Sequence, residues 1–171
     1  MIKALSFLAS PSRRLPRYSS ALWPYMGLVC VFAGIVAMFS IKGPGRHPSA
    51  GAGYFWSLLV ACLTMAALSM LRWPEDTHLF VLGILSFGAG VIGRMARRRH
   101  SPGLLPVHVT AMAVSYIVLL TAFYVDNGPH LPLWRSLPTL ALWLLPSLVG
   151  FPVLAWTLRR HPLLRRSRAL P

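Results

Sequence analysis

Five long apolar stretches, residues 21–40, 54–71, 79–94, 105–125 and 137–158, take up most of this 171-residue chain. Crossing the hydrocarbon core of a bilayer takes roughly 20 apolar residues at a helical rise of 1.5 Å. Four of the five stretches meet or approach that length. The third is shorter, and Arg94 and Arg97 extend it by snorkelling, with stems along the lipid and charged heads in water. The pattern predicts an all-α fold, an integral membrane bundle of about five transmembrane helices. Residues 1–20 form a basic amino-terminal tail, 21–158 a single transmembrane domain and 159–171 a basic carboxyl-terminal tail.

A chain that is 56% hydrophobic and only 12% charged has too little charge to cover a water-soluble surface. Its acids are Glu75, Asp76 and Asp126, against 15 Arg and 2 Lys, a net charge of +14. The arginines gather at 13–17, 94–99 and 159–168, outside or at the ends of the apolar stretches. That placement suits anionic lipid headgroups, so the expected partner is membrane lipid. Nucleic acid is not expected, because no soluble basic module is long enough to bind it. Cys30 and Cys62 lie inside spans at similar depth for an antiparallel pair, and read as small packing residues rather than a disulfide. The amino-terminal tail is Arg- and Ser-rich like a transit segment, but its two prolines interrupt an amphipathic helix, and a short basic tail is the simpler reading.

Positive charge sets the expected orientation. With the amino terminus outside and the carboxyl terminus cytoplasmic, the inner loops hold Lys42, Arg46, Arg94, Arg97, Arg98, Arg99 and the five arginines from Arg159 to Arg168. The outer side holds Lys3, Arg13, Arg14, Arg17, Arg72 and Arg135, so four charges of the tail must cross. Aromatic residues mark the boundaries: Trp23 and Tyr25 open the first span, Tyr54 and Trp56 open the second, Trp73 closes it, and Trp134 and Trp156 bracket the fifth. Trp143 alone falls near mid-span.

Small residues recur at helical spacing. Gly83, Ser86, Gly90 and Gly93 follow intervals of three, four and three, and Gly27, Cys30, Gly34 and Ala37 repeat the device in the first span. Such stripes let neighbouring backbones approach closely, and mark the packed faces. In the fifth span Pro138 suits a first turn, whereas Pro146 and Pro152 each remove an internal hydrogen bond and should bend the helix.

Chemistry has few places to reside. Under the preferred orientation Asp76, His78, Asp126 and His130 lie on the outer side, at the ends of the third and fourth spans, and could hold a divalent metal or relay protons. Local structure competes for the same groups. Asp76 or Thr77 suits a helix N-cap, and Asp126-Asn127-Gly128-Pro129 reads as a turn with Asn or Gly at positive φ. His108 is the one histidine clearly inside a span, with Met112 and Ser115 on the same face and Tyr116 beside them. His108, Ser115 and Tyr116 are the other polar candidates, and a hydrogen-bonded interfacial role suits the histidine best. A haem with two axial histidines is disfavoured, since His78 and His108 fall at opposite ends of adjacent antiparallel helices. No Walker loop, dinucleotide fingerprint, HExxH, GxSxG or mid-membrane charge occurs, which argues against an enzyme and a proton-driven pump.

The stretch HVTAMAVSYIVLLTAFYVDNGPHLPLW, residues 108–134, resembles a segment of the family called domain of unknown function 2306. Ser115, Tyr116, the LLTAFYVDNG run at 119–128 and Leu131-Pro132-Leu133-Trp134 carry the resemblance. It implies a multi-pass protein of a bacterial inner membrane and brings no catalytic signature or cofactor. Three functional expectations follow: a non-enzymatic bundle with a small metal or proton site, a haem- or redox-associated subunit, or a small transporter or lipid-handling protein. With so little mass outside the bilayer, association with further subunits in the membrane is expected.

Overall fold

The computed structural model describes residues 28, 29, 31, 32, 34–36, 45–99, 101–131, 134 and 136–160, with the side chains of Arg46, Pro102 and His130 outside that description. The first apolar stretch therefore lies mostly outside the described residues, as does Cys30; the described part of that stretch is helical. Among the described residues there is no strand. Four long helices follow in order: α1 (Arg46–Leu71), α2 (Thr77–Arg98), α3 (Leu105–Asn127) and α4 (Thr139–Arg160). All four are long and apolar enough to cross a membrane. At 22 to 26 residues each, they run ~33–39 Å against a hydrocarbon core of ~30 Å.

Two of these lengths differ from the apolar stretches. The helix of the third stretch covers Thr77–Arg98, long enough to cross a membrane with Arg94 and Arg97 in its last turns. The helix of the second begins at Arg46 rather than Tyr54, behind Gly45, whose φ of 120° suits only glycine. Pro48 is tolerated in that first turn, where a backbone N–H has no intrahelical acceptor. Ser49 closes the turn, its hydroxyl donating to the Gly45 carbonyl at 3.1 Å.

The helices pack in sequence, α1 on α2, α2 on α3 and α3 on α4, with the α2–α3 pairing the most extensive. Small residues explain that rank. Gly83, Ser86, Gly90 and Gly93 are all buried on α2, continued by Leu79 and Ala96. A Cβ on Gly90 would stand 2.9 Å from Leu58 of α1 and 3.3 Å from Ser115 of α3, and one on Gly93 would stand 2.8 Å from the Met112 sulfur. The predicted stripe is thus the face that α1 and α3 close upon. Around it lies the core of Tyr54, Leu58, Ala61, Met65, Leu79, Leu119 and Ala122. Gly150 of α4 does the same against Ile117 of α3. The Cys62 thiol donates to the Gly83 carbonyl at 3.4 Å, a packing role, while any contact with Cys30 lies outside the described residues.

Large apolar side chains face outward on every helix, among them Leu63, Ile84, Val107 and Leu148. Hydroxyls on these helices bond inward to their own backbone: Ser57 to Gly53, Thr64 to Ala61, Thr121 to Ile117 and Thr157 to Val153, at 2.8–3.0 Å. Such bonds satisfy a polar group without water, as lipid requires. α4 runs as continuous helix through both Pro146 and Pro152.

Candidate functional site

The start of α2, the end of α3 and the start of α4 share one end of the bundle, and all three acids are there. Asp76 occupies the N-cap position of α2, yet its carboxylate makes no cap hydrogen bond. It pairs with Arg72 at 3.1 Å instead. Thr77 likewise does not cap; its hydroxyl donates to the Pro74 carbonyl at 2.7 Å. Ser69 fixes the loop from below, donating to the Asp76 carbonyl at 2.7 Å. Glu75 is exposed. His78 turns to α4, its ring 5.9 Å from that of Trp143. Trp143 is therefore in the first turns of its helix and not at mid-span.

The turn expected at Asp126-Asn127-Gly128-Pro129 does not form at positive φ. Gly128 has φ −52° and ψ −46°, and α3 passes into a single 3-10 turn, Gly128–His130. Two contacts account for this. Asn127 reaches back to the Phe123 carbonyl at 3.1 Å, which holds the last helical turn. Gly128 is packed so closely on Leu142 that a Cβ there would stand 2.8 Å away. Asn127 also donates to the Asp126 carboxylate at 3.4 Å. Asp76, His78 and Asp126 thus share an end, while the His130 side chain lies outside the described residues. Among the described residues no three His, Cys, Asp or Glu groups come together to hold a metal ion.

A second polar constellation runs through the interior. The Tyr54 hydroxyl and the Ser115 hydroxyl are 2.8 Å apart, both fully buried. Ser86 donates to the Ser115 backbone carbonyl at 2.8 Å, so Ser115 is met from α1 and from α2. Tyr116 donates to the carbonyl of Val31, in the first apolar stretch, at 3.1 Å. Its ring lies 6.2 Å from that of Tyr54 and is seated against Gly34. His108 places Nδ1 2.8 Å from the Gly93 carbonyl. A carbonyl only accepts, so Nδ1 carries the hydrogen. His108, Met112 and Ser115 do share the face toward α2 that their spacing predicts.

Sequence reasoning singled out His108, Ser115 and Tyr116 but missed Tyr54 and the hydrogen bond of Ser86. Tyr54 was expected in the headgroup zone, whereas it is 2% exposed in the core. The missed signal is the stripe Tyr54, Leu58, Ala61, Met65 and Ser69, all buried at spacings of four, three, four and four. Chemically, this seam matches donors to acceptors across helices and contains no carboxylate. Its bonds tie α1, α2 and α3 together. His78 and His108 remain far apart. His78 opens α2, and His108 bonds to Gly93, ~22 Å along the same helix at 1.5 Å per residue, too far for one haem.

Among the described residues, the charged side chains at the opposite end of the bundle are all basic. Arg94, Arg97 and Arg98 close α2, Arg99 follows, and Arg159 and Arg160 close α4. The Arg94 guanidinium lies 4.5 Å over the Phe55 ring, and that of Arg160 5.6 Å over Trp156. Compared with family models, with curated proteins and with solved structures, the chain matches none.

Proposed function

We propose that this chain is a non-enzymatic multi-pass membrane protein, with the first apolar stretch as a fifth span, the acidic end of the bundle outside and the basic end in the cytoplasm. One observation carries the reading: large apolar side chains cover the outside of four membrane-length helices while the polar groups pair inside. In water such a surface would drive aggregation. In lipid it is the expected arrangement. The distribution of charge supports the orientation, since cytoplasmic loops collect Lys and Arg. The resemblance of residues 108–134 supports a bacterial inner membrane as the setting. Alkaline carbonate extraction tests the assignment: the chain should stay in the membrane pellet and leave it only with detergent. Release into the aqueous fraction would overturn it.

A second reading keeps a small metal or proton site at the acidic end, formed by Asp76, His78, Asp126 and His130. It draws on the shared end of α2 and α3, which brings the first three to one side of the membrane. An incoming cation would compete with Arg72 for Asp76, and a half-exposed pair of that kind is worth only about 0–1 kcal/mol. Titration of purified protein with a divalent cation should then show binding that Asp126→Ala and His78→Ala each weaken about tenfold. Binding by both variants that equals that of the wild-type protein ends this reading.

A further inference from the structure

We infer that the basic end of the bundle holds the phosphate of an anionic lipid, at a site centred on Arg94 where α1 and α2 meet. The inference rests on the membrane reading above. Its starting point is the separation of charge along the bundle. Arg94, Arg97 and Arg98 fall within a single turn of α2, at i, i+3 and i+4, which places them on one face of the helix. Like charges so spaced repel. The carbonyl end of α2 favours cations and offsets part of this, with an effective charge of about half an electron. The remainder has no carboxylate side chain to answer it. Glu75, Asp76 and Asp126 are the only acids in the sequence, and they sit at the other end of α2 and α3, ~30 Å away along the helices.

Helix ends do not relieve the imbalance, because the carbonyl ends of α2 and α4 are matched by the starts of α1 and α3. α1 and α3 both begin there, neither with an acidic residue in its first turn or a side-chain cap. Their partial positive charge points to the same side as the arginines. No carboxylate side chain supplies counter-charge at this end, and in the membrane reading the layer that surrounds it is the headgroup zone.

Arg94 is the residue built for the contact. It is half-buried, while Arg97 and Arg98 are exposed. Its guanidinium rests on Phe55, and that ring is braced by Phe87 at 5.7 Å and by Trp56 at 5.8 Å between centroids. Stacking engages the face of the guanidinium and leaves its in-plane N–H donors for an acceptor. A phosphate diester offers two oxygens that match such a fork. Trp56 is 59% exposed beside this cluster, an indole at the level of lipid. The same device recurs on α4, with Arg160 on the 59% exposed Trp156. A bare, solvated charge run would need no aromatic seats.

The test uses the full chain purified in detergent and reconstituted into nanodiscs containing phosphatidylglycerol, phosphatidylcholine or equal amounts of both, followed by quantification of co-purified lipid. Wild-type protein should retain phosphatidylglycerol about tenfold over phosphatidylcholine. Arg94→Gln should reduce the preference several-fold, and Phe55→Leu, which keeps every charge but removes the seat, should reduce it as well. Arg72→Gln, at the acidic end, should leave it unchanged. Circular dichroism checks that each variant keeps its helices, and the wild-type preference decides the matter even where a variant fails to fold. Equal retention of both lipids by wild-type protein in a bilayer overturns the site while leaving the membrane reading intact. So does full displacement by inorganic phosphate at equal concentration, which would mark a free-anion site instead. A chain that never enters the nanodisc fails at the earlier step.

Discussion

The hydroxyl of Ser115 is answered by a phenol from another helix, and neither group has access to water. Ser115→Ala removes this bond from the Tyr54 hydroxyl in the core. An unpaired buried polar group costs ~1–3 kcal/mol in a soluble protein. Cross-helix bonds measured in a membrane average ~0.6 kcal/mol, because the unfolded chain in lipid also finds partners. The lower figure governs here, so Ser115→Ala should lower the unfolding midpoint in detergent by an amount equivalent to about 0.6 kcal/mol. Adding Tyr54→Phe should cost less than its effect alone, since the partner is already lost. A purely additive pair would show that the two hydroxyls are not coupled. Ser115 and Tyr116 stand out in the sequence as polar residues within apolar surroundings. Tyr54 does not, because an aromatic residue at the edge of an apolar run looks like a headgroup anchor until the stripe below it is followed to Ser69.

Glycine spacing made the central helix legible, and the same spacing now predicts which glycines are replaceable. On α2 a Cβ at Gly90 meets Leu58 and Ser115, one at Gly83 finds Met65 at an ordinary 3.5 Å, and one at Gly88 finds nothing within 4 Å. Overpacking costs ~1–3 kcal/mol, whereas replacing a helical glycine by alanine where the Cβ meets open space gains up to ~1 kcal/mol. Gly90→Ala should therefore destabilise, Gly83→Ala should be close to neutral, and Gly88→Ala should match or exceed wild type in resistance to unfolding by SDS. An equal response at all three positions would mean that the stripe does not set the α1–α2–α3 packing. Element ends were harder to read, for a physical reason. Hydropathy follows transfer free energy, and the run RHPSAGAG at 46–53 is polar and glycine-rich although it is helical. The converse holds at Asp126-Asn127-Gly128-Pro129, where turn-forming residues are kept in helical geometry by the Asn127 bond to Phe123 and the close seat of Gly128 on Leu142. In the second place packing against a neighbouring helix outweighs local turn preference.

At the scale of the whole molecule the two ends of the bundle differ in kind. One carries Glu75, Asp76 and Asp126 with Arg72, and the other carries Arg94, Arg97, Arg98, Arg99, Arg159 and Arg160 with no acid. A charge difference of that size was plain in the sequence, whereas the aromatic seats of Arg94 and Arg160 were not, since Phe55 and Arg94 lie on different helices. The consequence for insertion is testable with single cysteines in a chain whose Cys30 and Cys62 are replaced by Ala. Glu75 and Ser101 are exposed in loops at opposite ends of α2. In intact cells a membrane-impermeant maleimide should label Glu75→Cys directly, and Ser101→Cys only after permeabilisation. The reverse pattern would invert the orientation. Changing Arg97, Arg98 and Arg99 to Gln should then produce a mixture of the two, because orientation follows the number of cations beside each span and not the packing inside the bundle. If those three substitutions leave labelling unchanged, the arginines do not set the orientation. The lipid phosphate inferred above would then be the role left to test for them.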